Sequence, residues 1–321
     1  MLLLVVIVAG LAVLPLVVSS FYIRHLVIVA MLYAIIASNW DLSLGYGGIF
    51  NFAHAAFFAL GAYTAGILAK NFGVDPWLAI PAAGGVAVLA SIIVCLPVLR
   101  VKGIYVCLVT FAFSQLCLQV VRSQREITGG AHGLTSVPPI SIGSYSFVSD
   151  GKLAYYYLVL ILLIASTVYL IKVVKSDFGL GVVALRDFED YAISRGVPLA
   201  RHRMLTLMAS AIFTGMTGAI YTLYTGVAAL ELFGFGYTTT LLSMVLLGGM
   251  ASIYGPIMGA FIVGFMLEFL MELGAWRFLV LAALTILVLV YYPGGIFGGL
   301  KGLYRRLATT RTRSGASSPQ P

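Results

Sequence analysis

The chain has 321 residues, of which 61% are hydrophobic and only 9% are charged, and its mean hydropathy is +1.05. A soluble globular chain is about one quarter charged, so this composition excludes a soluble enzyme domain. The formal net charge is +8, but the basic residues are distributed as in a membrane protein and not as a nucleic-acid-binding patch. The three cysteines lie inside apolar stretches without metal-ligand spacing, and we interpret them as packing residues.

Apolar runs recur along the chain at the length of about 20 residues that a helix needs to span a membrane. We therefore predict an all-α, polytopic helical membrane protein with about ten transmembrane helices, some of them broken or re-entrant. The span at 238–252 is short and begins with three threonines, so a re-entrant hairpin is its alternative. The predicted spans are 2–18, 26–43, 55–69, 77–99, 104–121, 153–172, 204–224, 238–252, 256–273 and 276–292.

The basic residues predict the orientation of these spans. If the N-terminus is cytoplasmic, the inner segments carry most of the Lys and Arg residues, so we predict that both termini are cytoplasmic. We predict one transmembrane domain over 1–300, with an inner loop at 173–203 and an outer loop at 122–152. The tail at 301–321 is basic and of low complexity, and we expect it to be disordered in the cytoplasm.

Two glycine-rich stretches, GYGGIFNFAH (45–54) and LLGGMASIYGPIMG (246–259), interrupt the apolar pattern on the predicted inner side. A broken helix needs cover from protein or from a water-filled cavity, and such breaks mark the substrate path of many transporters. We predict that both breaks border the translocation path, with tight helix packing as the alternative. The residues concerned are Gly45, Gly47, Gly48, Asn51, His54, Gly248, Gly249, Gly255 and Pro256.

Polar side chains accompany the first break. Asn51 and His54 are three residues apart and would share a helix face, with Asn51 as a candidate N-cap. They either border the path or satisfy backbone groups that the break sets free. Asp41 is the acid nearest to the break, and we expect it to cap or pair there.

Two acids lie one turn apart near the outer end of the ninth predicted span. A carboxylate inside the membrane is costly, so we predict that Glu268 lines the path or bridges to a partner. We expect Glu272, nearer the helix end, to pair with Arg277.

The inner loop contains VVALRDFEDYAISRGV (182–197), whose pattern predicts one short amphipathic helix stopped by Gly196. It could rest on lipid headgroups or dock a cytosolic protein, and its mixed charges favour the protein. The apolar positions on one predicted face are Val183, Leu185, Phe188, Ala192 and Ile193.

This loop resembles the cytoplasmic loop of ABC-importer permeases, whose acidic-Ala-Ala-x-x-x-Gly signature inserts into a cleft of the ATPase subunit. The match runs through Asp190, Ala192 and Gly196, with Asp190 where Glu is usual and Tyr191 in place of the first Ala. The ATPase-coupling residues that this resemblance implies are Arg186, Asp187, Glu189, Asp190, Ala192 and Gly196.

Other stretches resemble the branched-chain amino-acid ABC permeases, in particular the LivM-like branch, in order over roughly residues 30–300. The TGG-x-x-GL element of that family is matched by TGGAHGL (128–134). This resemblance favours an outer gate or receptor contact at Thr128, Gly129, Gly130 and Gly133 over a merely flexible loop. The other matching stretches are 45–68, 102–116, 246–261 and 287–298.

The resemblance implies a permease subunit of the ten-helix importer type in the bacterial inner membrane. Its partners would be a second related permease in a heterodimer, two cytosolic ATPase subunits, an extracytoplasmic substrate-binding protein and membrane lipid, without nucleic acid. ATP and Mg²⁺ would bind the ATPases, since this chain has no Walker A motif. We predict no catalytic, cofactor-binding or metal-binding residue here.

The predicted substrate is a branched-chain or other apolar amino acid. A permease of the same architecture for urea, short amides, aromatic acids or sugars is the alternative. An ion-coupled secondary transporter and a membrane-embedded enzyme fit less well, because the spans hold few ionisable residues and no nucleophile–base arrangement.

Overall fold

The computed structural model describes residues 10–15, 20–142, 145–147, 152–274, 276–292 and 294–299. It is almost entirely helical, which confirms the all-α prediction, apart from a short hairpin of β1 (Ser141–Ile142) and β2 (Tyr145–Ser146). The principal helices are α1 (Phe21–Asp41), α2 (His54–Asn71), α3 (Pro76–Val98), α4 (Ile104–Ser123), α5 (Leu153–Lys175), α6 (Asp177–Asp187), α7 (Glu189–Ser194), α8 (Leu199–Thr225), α9 (Phe235–Gly248), α10 (Tyr254–Phe269) and α11 (Trp276–Tyr291).

Six helices in the described part of the chain are long and apolar enough to cross a membrane. They are α1, α3, α4, α5, α8 and α11 with its continuation. By contrast, α9 has 14 residues and α10 has 16. At 1.5 Å per residue such helices extend about 21–24 Å, less than the hydrocarbon core of about 30 Å.

Each predicted span from 26–43 onward corresponds to a helix. The span at 238–252 is shortened at its C-terminal side, because α9 ends at Gly248. The predicted span 2–18 falls mostly outside the described residues, of which 10–15 are helical, and the tail at 301–321 lies outside them. The orientation of the termini stays a prediction.

The centre of the protein is formed by α1 and α8. Helix α1 packs against α10, α5 and α8, and α8 packs against α3 and α2. Large side chains fill the space between them, including the fully buried Trp40, Phe57 and Phe58. The apolar side chains of α4 and α11 are mostly exposed, as expected for helices that face lipid or a partner.

Helices α2 and α8 cross at glycines. A Cβ atom at Gly218 would overlap the carbonyl of Phe58, and a Cβ atom at Gly61 would overlap the backbone of Gly215. Small residues let helix backbones approach closely in membrane proteins, where apolar burial between helices supplies little driving force. This crossing therefore depends on the missing side chains.

We expect Gly218→Ala to lower the apparent midpoint of thermal unfolding in detergent, because overpacking a tight interface costs about 1–3 kcal/mol. The matched control is Gly85→Ala in α3, where an added Cβ meets nothing within 4 Å. The control should be neutral or slightly stabilising, since Ala favours a helix over Gly by about 0.5–1 kcal/mol. Equal midpoints for the two variants would contradict the packing account.

Candidate functional site

The first predicted break is a change of helix type followed by an irregular segment. Helix α1 continues as a π-helical turn over Leu42–Tyr46, a feature found often at functional sites. Beyond it, the N–H of Gly47 donates to Leu42 O at 3.0 Å, and the N–H of Ile49 donates to Ser43 O at 2.8 Å. The break thus keeps its backbone groups hydrogen-bonded without water, as an apolar environment requires.

Asn51 and His54 lie in this break and are fully buried. The Oδ1 atom of Asn51 accepts the N–H of Ala53 at 2.8 Å. The His54 ring stacks on Trp40 with centroids 5.6 Å apart, and its Nε2 atom lies 2.8 Å from Oγ1 of Thr214. The N-cap prediction for Asn51 is wrong, because α2 begins at His54 with Ala53 in the cap position. Each side chain thus has one protein partner, Ala53 in the break for Asn51 and Thr214 in α8 for His54, while Nδ2 of Asn51 and Nδ1 of His54 are buried without a hydrogen-bond partner in the described residues.

Asp41 joins the first break to the second one. Its carboxyl group is fully buried and accepts the N–H of Ala251 on Oδ1 at 2.9 Å and the N–H of Ser252 on Oδ2 at 3.1 Å. These two donors belong to the segment between α9 and α10. A Cβ atom at Gly45 would overlap both this carboxyl group and the nitrogen of Ala251. The sequence predicts the two breaks as separate features. In the folded protein they are in direct contact.

Close backbone contacts surround the second break. A Cβ atom at Gly248 would overlap the carbonyl of Gly255, and Gly249 has a positive φ of 110° and lies against Gly294. Pro256 stands in the first turn of α10, where its missing N–H is tolerated. The glycines of the second break therefore form the tight helix contact that was the alternative to path lining, and their place on the path stays a prediction.

Arg186, at the end of α6, reaches the first break from the inner loop. Its Nη1 atom donates to the carbonyl of Gly45 at 2.7 Å, and its Nε atom donates to Asp187 at 2.7 Å. Gly48 has a positive φ of 63°, and a Cβ atom there would press on the aliphatic part of Arg186. Of the predicted coupling residues, Arg186 is therefore the one that contacts the break.

The prediction of one amphipathic helix in the inner loop is wrong. The loop forms α6 and α7, separated at Phe188, whose extended backbone (φ −145°, ψ 77°) ends the first helix. The residues predicted to share one apolar face have different surroundings: Leu185 and Ala192 are buried, whereas Phe188 is 73% exposed and Ile193 is 43% exposed. The helical pattern fails because the chain turns at Phe188.

Glu189 fixes α7 to the rest of the protein. Its carboxylate forms ion pairs with Lys102 at 2.7 Å and with Arg203 at 2.8 Å. The hydrogen bond from Lys102, with the nearby Arg203 charge, lowers the pKa of Glu189 below its ordinary value. Similarly, the hydrogen bond from Arg186 lowers the pKa of Asp187. These acids are engaged within the chain.

The surface of α7 carries the groups that remain for a partner. Asp190 and Gly196 are exposed, and Gly196 adopts a positive φ of 88° at the end of the helix. Two exposed aromatic residues, Phe188 and Tyr191, lie beside them. The sequence pattern had placed Phe188 on the apolar face of the candidate docking helix and had marked Tyr191 only as a departure from the signature.

The outer TGGAHGL element is a compact structure. Thr128 is buried, and its hydroxyl donates to Val121 O at 2.6 Å. At the end of the element, Leu134 pairs with Ala228 through two backbone hydrogen bonds. The N–H of Leu134 donates to Ala228 O at 3.0 Å, and the N–H of Ala228 donates to Leu134 O at 2.8 Å. The glycines predicted as an outer gate, Gly129, Gly130 and Gly133, all have positive φ. They therefore shape a turn that ties the outer loop to the segment after α8.

Glu268 lies toward the opposite end of α10 from the two breaks. Its Oε1 atom accepts a hydrogen bond from the Tyr22 hydroxyl at 2.6 Å. Glu268 and Arg277 both line a cavity of about 590 Å³. Arg277 forms no ion pair with Glu272 in the described part of the chain, so that expectation is wrong. Asn51 and His54 do not line this cavity.

A family model described as branched-chain amino acid transport system / permease component matches residues 22–289. The chain belongs to this family. The match covers both breaks, the inner loop and nearly all described helices, so the permease assignment and the membrane location apply to the whole fold.

Several known permeases are similar to this chain in sequence. The high-affinity branched-chain amino acid transport system permease protein LivM of Escherichia coli (strain K12) is 26% identical over 287 residues, covering 83% of this chain and 68% of the relative. A probable LivM permease of Methanocaldococcus jannaschii is 26% identical over 264 residues, covering 71% and 75%. A probable LivH permease of the same organism is 22% identical over 245 residues, covering 72% and 77%. No solved structure matches the chain.

In this permease, Asp41→Ala should lower the apparent midpoint of thermal unfolding in detergent by several degrees. The change leaves two part-buried N–H groups without their acceptor, and a fully buried group of this kind costs about 1–3 kcal/mol. Asp75→Ala is the matched control, since Asp75 accepts one N–H, from Trp77, at the exposed start of α3. Its loss should cost about 1 kcal/mol. Equal effects of the two variants would contradict the role given to Asp41.

Proposed function

We propose that this chain is a permease subunit of an ATP-driven importer for branched-chain or other apolar amino acids. The observation that carries the proposal is the 2.7 Å hydrogen bond from Arg186 to Gly45. It connects a charged inner loop to a buried helix break. A transporter driven by a separate ATPase needs such a contact, because ATP is hydrolysed outside the membrane, whereas the substrate path lies inside it.

The exposed surface of α7 supports docking of an ATPase subunit. Phe188 is 73% exposed and Tyr191 is 61% exposed on a loop that is otherwise charged. Large aromatic residues are enriched at the centres of protein interfaces. The two ion pairs of Glu189 hold α7 in place, so that a push on this helix would be passed to the protein.

The proposed mechanism is alternating access. ATP and Mg²⁺ bind the ATPase subunits, and their closure moves α6 and α7. Arg186 passes the movement to Gly45, and Asp41 passes it to the N–H groups of Ala251 and Ser252. Because α9 ends before Ala251 and α10 begins after Ser252, the two short helices would shift with these residues.

The proposed assembly contains a second, related permease. The similarity to relatives named LivM and LivH in one organism supports such a pair. An extracytoplasmic binding protein would deliver the amino acid, and the outer element at 128–134 would contact it or gate the outer mouth. We place the importer in the bacterial inner membrane with both termini of this chain in the cytoplasm, where the basic inner loop would face the ATPases.

We expect Phe188→Ser to reduce co-purification of the ATPase subunits with the permease pair by about tenfold or more, as for the loss of an interface anchor. Phe72→Ser is the matched control, because Phe72 is 70% exposed after α2 and lies far along the chain from the inner loop. It should leave the complex intact. Gly196 is a less useful test position, since its positive φ makes any substitution strain the turn.

Uptake into liposomes gives the second readout. ATP-driven leucine uptake should fall for Phe188→Ser and stay near wild type for Phe72→Ser. Leucine uptake by this purified chain without ATPase subunits would overturn the importer assignment.

A further inference from the structure

The cavity lined by Glu268 has the features of a small-ligand site. Its volume of about 590 Å³ lies within the usual range of about 300–1,000 Å³ for such pockets. It is formed by the first half of α1, the start of α9, the end of α10 and the start of α11. The hydrogen bonds of Asp41 to Ala251 and Ser252 lie at the other ends of α1, α9 and α10. The same three helices therefore connect the cavity with these hydrogen bonds.

Charged groups of both signs line the cavity and are not matched to each other. Glu231, Glu268 and Arg277 all contact it, yet none of the three belongs to an ion pair in the described residues. Glu268 lies within a predicted span, where an ionisable side chain is costly and is kept mainly where function needs it. Unpaired charges of opposite sign around one space point to a ligand that carries both.

One hydrogen-bond donor at this cavity, Nε of Arg277, is buried and lacks a hydrogen-bond partner among the described residues. A guanidinium group cannot lose its proton in a protein, so the Arg277 donor requires an acceptor. A ligand carboxylate supplies one in the geometry that arginine prefers.

The rest of the wall is mixed, with apolar side chains beside a histidine, two tyrosines and a threonine. Leu26, Val29 and Leu267 contribute aliphatic side chains and Phe278 an aromatic ring. A ligand that matches the charges and the apolar part of this lining has a carboxylate, an ammonium group and an apolar side chain. Urea and sugars carry no such charges and would leave Arg277 without a counter-ion.

We propose that this cavity binds the transported amino acid as a zwitterion, with its carboxylate on Arg277, its ammonium group on Glu268 and Glu231, and its side chain against α1. This inference rests on the proposed function and specifies the substrate chemistry at the outer end of the helices. Arg277 and Glu231 thereby join Glu268 as ligand-contacting residues.

Protection of an introduced cysteine tests the site without relying on transport. Gly236 lines the cavity, and a Cβ atom there meets nothing within 4 Å. Gly236→Cys would be made in a background with Cys95, Cys107 and Cys117 replaced by alanine, and labelled with a maleimide in the complete importer. Leucine should slow the labelling, whereas urea, glucose, leucinamide and N-acetylleucine should not.

Variants then assign the charges. Arg277→Gln should raise the leucine concentration for half protection at least about tenfold, because truncating one member of a buried charge pair weakens binding by an order of magnitude or more. Arg277→Lys should restore part of the protection, and Glu268→Gln should weaken it. The control Glu272→Gln, on the same helix end but outside the cavity lining, should behave as wild type.

The outcomes separate the two claims. If the complete importer takes up leucine with ATP but leucine does not protect the cysteine, or protects it equally in Arg277→Gln, the zwitterion site is wrong and the importer assignment stands. If the importer takes up no amino acid with ATP, the proposed function fails, and the site falls with it.

Discussion

The buried carboxyl group of Asp41 is the contact on which the rest of this structure depends. It accepts two backbone N–H groups, from Ala251 and Ser252, in a place where water is excluded. Backbone polar groups in an apolar environment must be paired within the protein. Two interrupted helices can therefore meet there only because one side chain supplies acceptors that the helices have lost. Gly45 follows from this contact, since a larger residue there would push the two breaks apart, whereas Gly248 lets the end of α9 approach the start of α10.

This arrangement places the inner loop and the cavity at opposite ends of one set of packed elements. Arg186 touches the first break, Asp41 ties it to the second, and α9 and α10 lead from there to the cavity that holds Glu268 and Arg277. The short lengths of α9 and α10 fit this function, because helices that do not span the membrane alone can shift with the segment that joins them. Packed contacts of this kind transmit motion if the joined element has two arrangements.

Sequence reasoning located the helices and the breaks because hydropathy and glycine content are local properties. It singled out Glu268 because a carboxylate in an apolar span is costly, and the structure places Glu268 at a cavity, while its role on the path stays a prediction. It could not show that the breaks touch, since residues 41 and 251 are brought together only by the packing of α1 against α10. The sequence feature that could have indicated the role of Asp41 is an acidic residue at the end of an apolar helix.

The failures have physical causes as well. The periodicity of the inner loop predicted one helix with Phe188 on its apolar face, but the chain turns at Phe188 and also exposes Tyr191, which the pattern had left off that face. Arg277 was assigned to Glu272 on sequence spacing, whereas α11 turns it toward the cavity instead. Both errors concern the direction of side chains after a break, which periodicity alone does not determine.

The most direct test is whether a movement of the inner loop changes the structure of the two breaks. It is made by hydrogen–deuterium exchange in the complete importer, with and without nucleotide trapped by vanadate. Exchange at 45–49 and 249–253 should change together when nucleotide is trapped. Arg186→Gln should abolish that response at both segments, while Arg201→Gln, an exposed arginine at the start of α8, should preserve it. An unchanged response in Arg186→Gln, or no response in the wild-type importer, would contradict the account.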